Sequence, residues 1–251
     1  VMLGFTSVLD SSVAFWCIMM AVYDGVIPGP RLYIAGRALS QTGGHGDFRR
    51  LTEETSPCNC AHALAFTSRI ADGVDEVRKA VRDELRKGAD QIKIMVSGGV
   101  SSPHDPLDCD LYSPEEIRVI DSEAEKRGTY VMAHAYGAGL NSIKLCEKHG
   151  VKLGFGTDLL GDSFHHQSRE FEIRSSVQKP REIIRSATKI NAEIIQEDDR
   201  LGVLKVGALG DVILLDQNPF EDVGVFLDAG KHIPLVMKGG KIFKNQMSER
   251  S

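Results

Sequence analysis

The stretch Gln91-Ile92-Lys93-Ile94-Met95-Val96-Ser97-Gly98-Gly99 decides the fold. A short apolar run rich in β-branched residues, stopped by Ser-Gly-Gly, reads as a buried strand. Immediately before it, Asp72 to Lys87 has helical spacing. Val74, Val77, Val81 and Leu85 share one face, acids occupy the first turn, and Lys87-Gly88 ends the pattern. After it, Ser113-Pro114-Glu115-Glu116 is a helix start, with Ser as N-cap, Pro at the first helical position and Glu at the third. That helix runs to Arg127-Gly128 and feeds a second strand, Tyr130 to Ala135 (YVMAHA). Helix, strand, helix, strand is the signature of a parallel sheet with crossover helices, an α/β fold.

The same alternation extends outward. Phe5 to Leu9 and Arg31 to Gly36 are predicted strands, Gly43-Gly44-His45-Gly46-Asp47 a loop, and residues 48–70 a long irregular connection. Residues 138–149 are predicted helical, Val151 to Thr157 a strand, and Pro180 to Ile195 a helix. The tail changes character near Gly202. Gly207 to Asp216 and Ile233 to Phe243 read as strands, the second carrying a Gly-Gly turn. The expected organisation is therefore residues 1–201 and a small β segment over 202–251. The apolar run Val13 to Val22 is too short to span a bilayer and follows Asp10 rather than a basic segment, so a buried helix is expected there.

The 251 residues are 42% hydrophobic and 26% charged with a net charge of −5, an ordinary globular balance. Arg49-Arg50 and the Lys79 to Lys87 cluster are short or interleaved with acids, which excludes a nucleic-acid footprint. Cys17, Cys58, Cys60, Cys109 and Cys146 are irregularly spaced, and Cys58-Asn59-Cys60 is too tight for a zinc knuckle. Five reduced thiols in a cytoplasmic protein with no membrane partner are expected. The chain opens on Val1 rather than methionine, which suggests a fragment.

Catalytic groups of parallel barrels sit at C-terminal strand ends. Three polar residues stand there: Lys93, His134 and Asp158. Lys93 projects opposite Ile92 and Ile94, either snorkelling from the strand or facing anionic or metal partners. His134, between Ala133 and Ala135, is a hydrogen-bonded core residue or a metal ligand. Asp158, closing Phe155-Gly156-Thr157, caps the next segment, binds metal or acts as a general base. As a set they offer nitrogen and oxygen donors suited to zinc or a similar divalent ion. His45, His104, Tyr136 and His166 are the candidates for substrate contact. His165 and His166, being adjacent, are expected to point in different directions, and His149 suits a helix C-terminus.

These residues resemble the amidohydrolase superfamily, within it the imidazolonepropionase-like, Xaa-Pro dipeptidase (prolidase)-type group. The matching stretches are GRALSQTGGH at 36–45, GADQIKIMVSGGV at 88–100, YVMAHAY at 130–136 and GFGTDLLG at 154–161, followed by HQSREF at 166–171, ATKINAEII at 187–195, GALGDVILLD and IPLVMKGGKIF. The resemblance implies a (β/α)8 TIM-type barrel with a small β-sandwich and a centre of one or two divalent ions, usually zinc. It makes Lys93 the carboxylated lysine that bridges the ions, His134 the fifth-strand ligand, and Asp158 the eighth-strand aspartate that binds metal and accepts the proton of the attacking water. Carboxylation would turn a cationic lysine into an anionic oxygen donor.

The departures are as specific. The first-strand His-x-His pair and the sixth-strand Glu-His-Gly motif are absent, and after Tyr136 the sequence jumps to the helix before the eighth strand. An incomplete barrel with a β-sandwich remnant is expected, from an incomplete gene model, a splice variant or a degenerate copy. The implied activity is metal-dependent hydrolysis of amide or peptide C–N bonds on a small-molecule or dipeptide substrate, with homo-oligomerisation open. The alternatives are an impaired remnant and an amidohydrolase acting on non-peptide cyclic amides.

Overall fold

A computed structural model describes residues 1–11, 16–49, 52, 67–99, 105–106, 109–134, 143–144, 148–150, 152–159 and 161–247. His104, Tyr136, Cys58, Cys60, Cys146, most of the 48–70 connection and most of the expected 138–149 helix lie outside these residues. The chain forms two compact units, one of Val8–Ile27 and Arg31–Gly137, the other of Val1–Ser7, Pro28–Pro30 and Ala138–Ser251.

The first unit carries the parallel sheet. Strand β1 (Ser7–Asp10) pairs with β2 (Arg31–Ile34), and β3 (Ala38–Ser40), β4 (Ser68–Ile70), β5 (Ile92–Met95) and β6 (Val131–His134) assemble in the order β4-β3-β5-β6. All three pairings of that sheet are parallel. The strand predicted over Arg31 to Gly36 ends at Ile34, and Gly36, whose φ of +67° takes the chain into the left-handed region, separates it from β3. A Cβ at Gly36 would stand 2.7 Å from Glu84 Oε2, the buried carboxylate that accepts the Arg37 N–H.

Helices α2 (Gly73–Arg86) and α3 (Pro114–Glu125) form where the caps predict them. Ser113 and Glu116 close a reciprocal capping box at the start of α3, with Pro114 at the first helical position. Val77, Ala80 and Val81 of α2 and Ile120 and Ala124 of α3 join Ile92 and Ile94 in one core. Burying each of those isoleucines contributes about 1.5–3 kcal/mol. Arg82 donates to both oxygens of Glu123, at 2.8 and 3.0 Å, and so ties α2 to α3. Helix α1 (Trp16–Tyr23) corrects the expectation of a buried helix, because none of its residues is buried. Its apolar residues surround the axis rather than forming one stripe, so no single face can be hidden. The Trp16 ring lies against Gly88 and lines a cavity of about 330 Å³ with Ile34, Gly36, Arg37, Glu84, Lys87 and neighbouring residues.

The second unit packs Phe171, Ile183, Val223, Val225, Phe226, Ile233 and Val236 around one core. Phe171 stacks on Phe226 at 4.2 Å and meets Phe155 at 4.4 Å. The helix predicted from Pro180 is continuous to Ile194 but contains a π-type turn at Ser186–Ile190. The tail forms a three-stranded antiparallel sheet, β7 (Val212–Leu214), β8 (Leu235–Lys238) and β9 (Lys241–Asn245). Gly239 and Gly240, both with positive φ, make the tight turn between the last two strands.

The strand expected over Val151 to Thr157 does not form among the described residues 152–159, which have no ladder partners. A strand exists only through its neighbours' hydrogen bonds. Here the backbone of Phe155 is engaged by a side chain instead, the carboxamide of Asn191.

Candidate active site at the strand ends

Register places the first two candidates together. Lys93 pairs with Met132 and Met95 with His134, so Lys93 and His134 lie on the same sheet face, opposite the buried Ile92 and Ile94. His134 ends β6, and its carbonyl accepts from the Val96 N–H at 3.0 Å. Its Nε2 is buried.

His45 reaches the same place from the turn after β3. The turn is braced by short-range bonds: Gly44 N–H to the Gln41 carbonyl, Asp47 N–H to the Gly44 carbonyl, and Gly46 N–H to Ser40 Oγ. Gly46 has no room for a side chain, since a Cβ would come within 2.8 Å of both Ser40 and Ser68 Cβ. The Asp47 carboxyl accepts from Gly43 N–H and Arg49. Burial pushes its pKa up, but the Arg49 and backbone bonds outweigh that and hold it below the usual value. The outcome is a buried His45 whose ring stacks on His134, centroids 4.8 Å apart and planes 15° apart.

Asp105, which no sequence motif marks, completes the arrangement. Its Oδ2 lies 3.2 Å from His45 Nδ1 and accepts the Gly99 N–H at 2.9 Å. Side-chain exposure is 9% for His45 and 1% for Asp105, so the contact is shielded from water. The Gly98-Gly99 pair is a steric requirement: a Cβ at Gly99 would stand 1.9 Å from His45 Cε1, and one at Gly98 1.9 Å from the Pro106 carbonyl oxygen. The available signal was a carboxylate beside proline, shortly after a Gly-Gly turn.

Asp158 belongs to the other unit, where it is exposed and has φ of +50°. That conformation is costly for a residue with a Cβ, and such strain concentrates at functional positions. His166 is exposed at the end of the 3₁₀ turn Gly161–His166. Its ring meets that of His165 at 3.8 Å, which corrects the expectation that the two diverge. Cys17 and Cys109 are free thiols.

The described residues do not fit the ion centre that the resemblance implies. Among them, no group of three or more His, Cys, Asp or Glu side chains could hold a metal. Geometry supplies a reason at the strand ends. Two imidazoles stacked 15° from parallel have their nitrogen lone pairs in nearly parallel planes, which do not converge on one ion. No helix among the described residues is long and apolar enough to cross a membrane.

Two sequence profiles described as Amidohydrolase family match residues 1–148 and 111–243. Ochratoxinase of Aspergillus niger is 31% identical over 318 positions, covering 96% of this chain and 66% of that protein. Those 318 positions exceed the 251 residues here by 67, so the relative has at least that many residues facing gaps in this chain. The match with that protein therefore contains internal gaps in this chain. A crystal structure of an amidohydrolase superposes with TM-score 0.93 at 41% identity, over 98% of this chain and 77% of that one. A prolidase complexed with N-methylphosphonate-L-proline superposes with the same TM-score at 39% identity and the same coverage. Parallel sheet, small antiparallel sheet and matches along the whole length agree: the chain belongs to the amidohydrolase family, as an incomplete TIM-type barrel.

Proposed function

We propose that the chain is a hydrolase of amide C–N bonds of the dipeptidase type. The observation that carries this is the stacking of His45 on His134 at the C-terminal end of β6, on the sheet face that Lys93 shares. The likeness to a prolidase bound to a proline phosphonate supports a dipeptide with a C-terminal imino acid as substrate. In this reading Lys93 and His134 face the scissile amide and His45 contacts the substrate; the family resemblance assigns Asp158 to take the proton of the attacking water, and His104, Tyr136 and His166 are the further candidates for substrate contact. Family members use a divalent ion to polarise the carbonyl and acidify water. Zinc and a carboxylated Lys93 are what the resemblance implies here, whereas the described donor set makes no cage for an ion.

The test is proline release from a panel of Xaa-Pro dipeptides by the purified chain, after chelator treatment and after zinc addition, with bound metal counted in parallel. Turnover restored by zinc supports the proposal. Binding of the phosphonate without turnover under any metal condition overturns it in favour of a second reading, an impaired remnant. The lack of a three-ligand group among the described residues and the gaps against the relative favour that reading. Turnover of cyclic amides alone would move the substrate class away from dipeptides.

A further inference from the structure

We infer that Asp105 is the positioning residue of His45, fixing its imidazole as the Nδ1–H tautomer so that Nε2 is the ring's acceptor nitrogen. The inference rests on the proposed site only for what His45 meets; the tautomer itself is a property of the free protein.

The argument starts from one oxygen. Asp105 Oδ2 accepts the Gly99 N–H at 2.9 Å and faces His45 Nδ1 at 3.2 Å. An oxygen holding both contacts does so as an acceptor, so Nδ1 is the donor. A neutral ring with its proton on Nδ1 presents an unprotonated Nε2, and the partner of one ring nitrogen thus sets the chemistry of the other. Isolated imidazole would choose its tautomer freely in water; here the pair is shielded and the choice is made by the carboxylate.

Three further observations show that the placement is built. Gly99 lies directly under the ring and any side chain there would displace it. The His134 ring backs the other side and sets the plane. Asp105 Oδ1 is buried without a hydrogen-bond partner, so this carboxylate is kept out of water with only half of its acceptor capacity used. A residue serving only to staple the loop would need no charge, since a neutral acceptor satisfies one N–H. A carboxylate is what holds a donor proton on Nδ1.

The experiment is a long-range proton–nitrogen correlation spectrum of the histidine-labelled full chain at mildly alkaline pH, without substrate or added metal. The His45 signals are assigned by their loss in His45→Gln. The expected result is the Nδ1–H tautomer for His45 in the wild type. Asp105→Ala should convert it to the Nε2–H form or to a mixture, and Asp105→Asn, which keeps an acceptor oxygen but loses the charge, should hold the Nδ1–H form less completely than the wild type. Gly99 amide exchange should accelerate on the order of tenfold in Asp105→Ala through loss of its hydrogen bond. An Nε2–H or doubly protonated His45 in the wild type overturns the inference without any variant. So does an unchanged tautomer in Asp105→Ala with faster Gly99 exchange, which would reduce Asp105 to a loop staple. Absence of hydrolytic activity bears on the proposed function and leaves the tautomer reading intact.

Discussion

The carboxamide of Asn191 grips both backbone groups of Phe155, accepting its N–H at 2.8 Å and donating to its carbonyl at 2.9 Å. One side chain thus does for this segment what a neighbouring strand does in a sheet. The contact joins the helix end at Asn191 to the aromatic stack of Phe155, Phe171 and Phe226. Asn191→Leu leaves both backbone groups without these partners and should destabilise the second unit by about 1–3 kcal/mol. Chemical denaturation followed by far-ultraviolet circular dichroism measures it; an unchanged midpoint would show that water replaces the carboxamide at no cost.

Gly99→Ala tests the seat of His45. The new methyl would overlap the imidazole, which must move. A stability loss of about 1–3 kcal/mol is expected from the overpacking. Ring-to-ring nuclear Overhauser contacts between His45 and His134 should weaken with it. Retention of both stability and contacts would contradict the steric account of the Gly-Gly turn.

Asp158→Asn addresses the proposed proton acceptor. If the chain hydrolyses an Xaa-Pro dipeptide, the substitution should lower kcat by ~10²–10⁴-fold. Since Asp158 is exposed, the thermal midpoint should stay close to that of the wild type. An active Asp158→Asn variant would move the general base elsewhere.

Acid stability should depend on Glu123. The Arg82 and Lys126 side chains that donate to it hold its carboxyl at about 2, below the usual 4.5. A depressed value in the folded state stabilises fully above the unfolded value and is lost as pH falls through the folded one. The contribution of Glu123 should therefore disappear between pH 4.5 and about 2. The stability curve of Glu123→Gln should be flatter across that window than the wild type's. Parallel curves would assign the acid sensitivity to other carboxylates, such as Asp83, which Lys87, Arg86 and Arg69 also hold low.

The parallel sheet was legible because its local signals agree. The Ser113–Glu116 capping box, the spaced valines of α2 and the apolar run at Gln91 each name one structure. The strand face shared by Lys93 and His134 also follows from residue parity once the strands are known. Three things were hidden. Val151 to Thr157 has the composition of a strand, but its ladder depends on neighbours that a local pattern does not report. Helix α1 is apolar enough to be buried, yet burial requires an opposing surface, which composition does not supply. Asp105 was invisible because its partner lies 60 residues away, and the meeting is made by loops rather than by periodic elements.

Trp16 carries a practical consequence. It is the chain's single tryptophan, and its ring rests on Gly88 within the first unit. Its intrinsic fluorescence is therefore a private reporter of that unit, whereas circular dichroism sums the helices of both. Melting curves from the two optical signals need not coincide. Their separation measures how far the two halves of this shortened barrel share one cooperative transition.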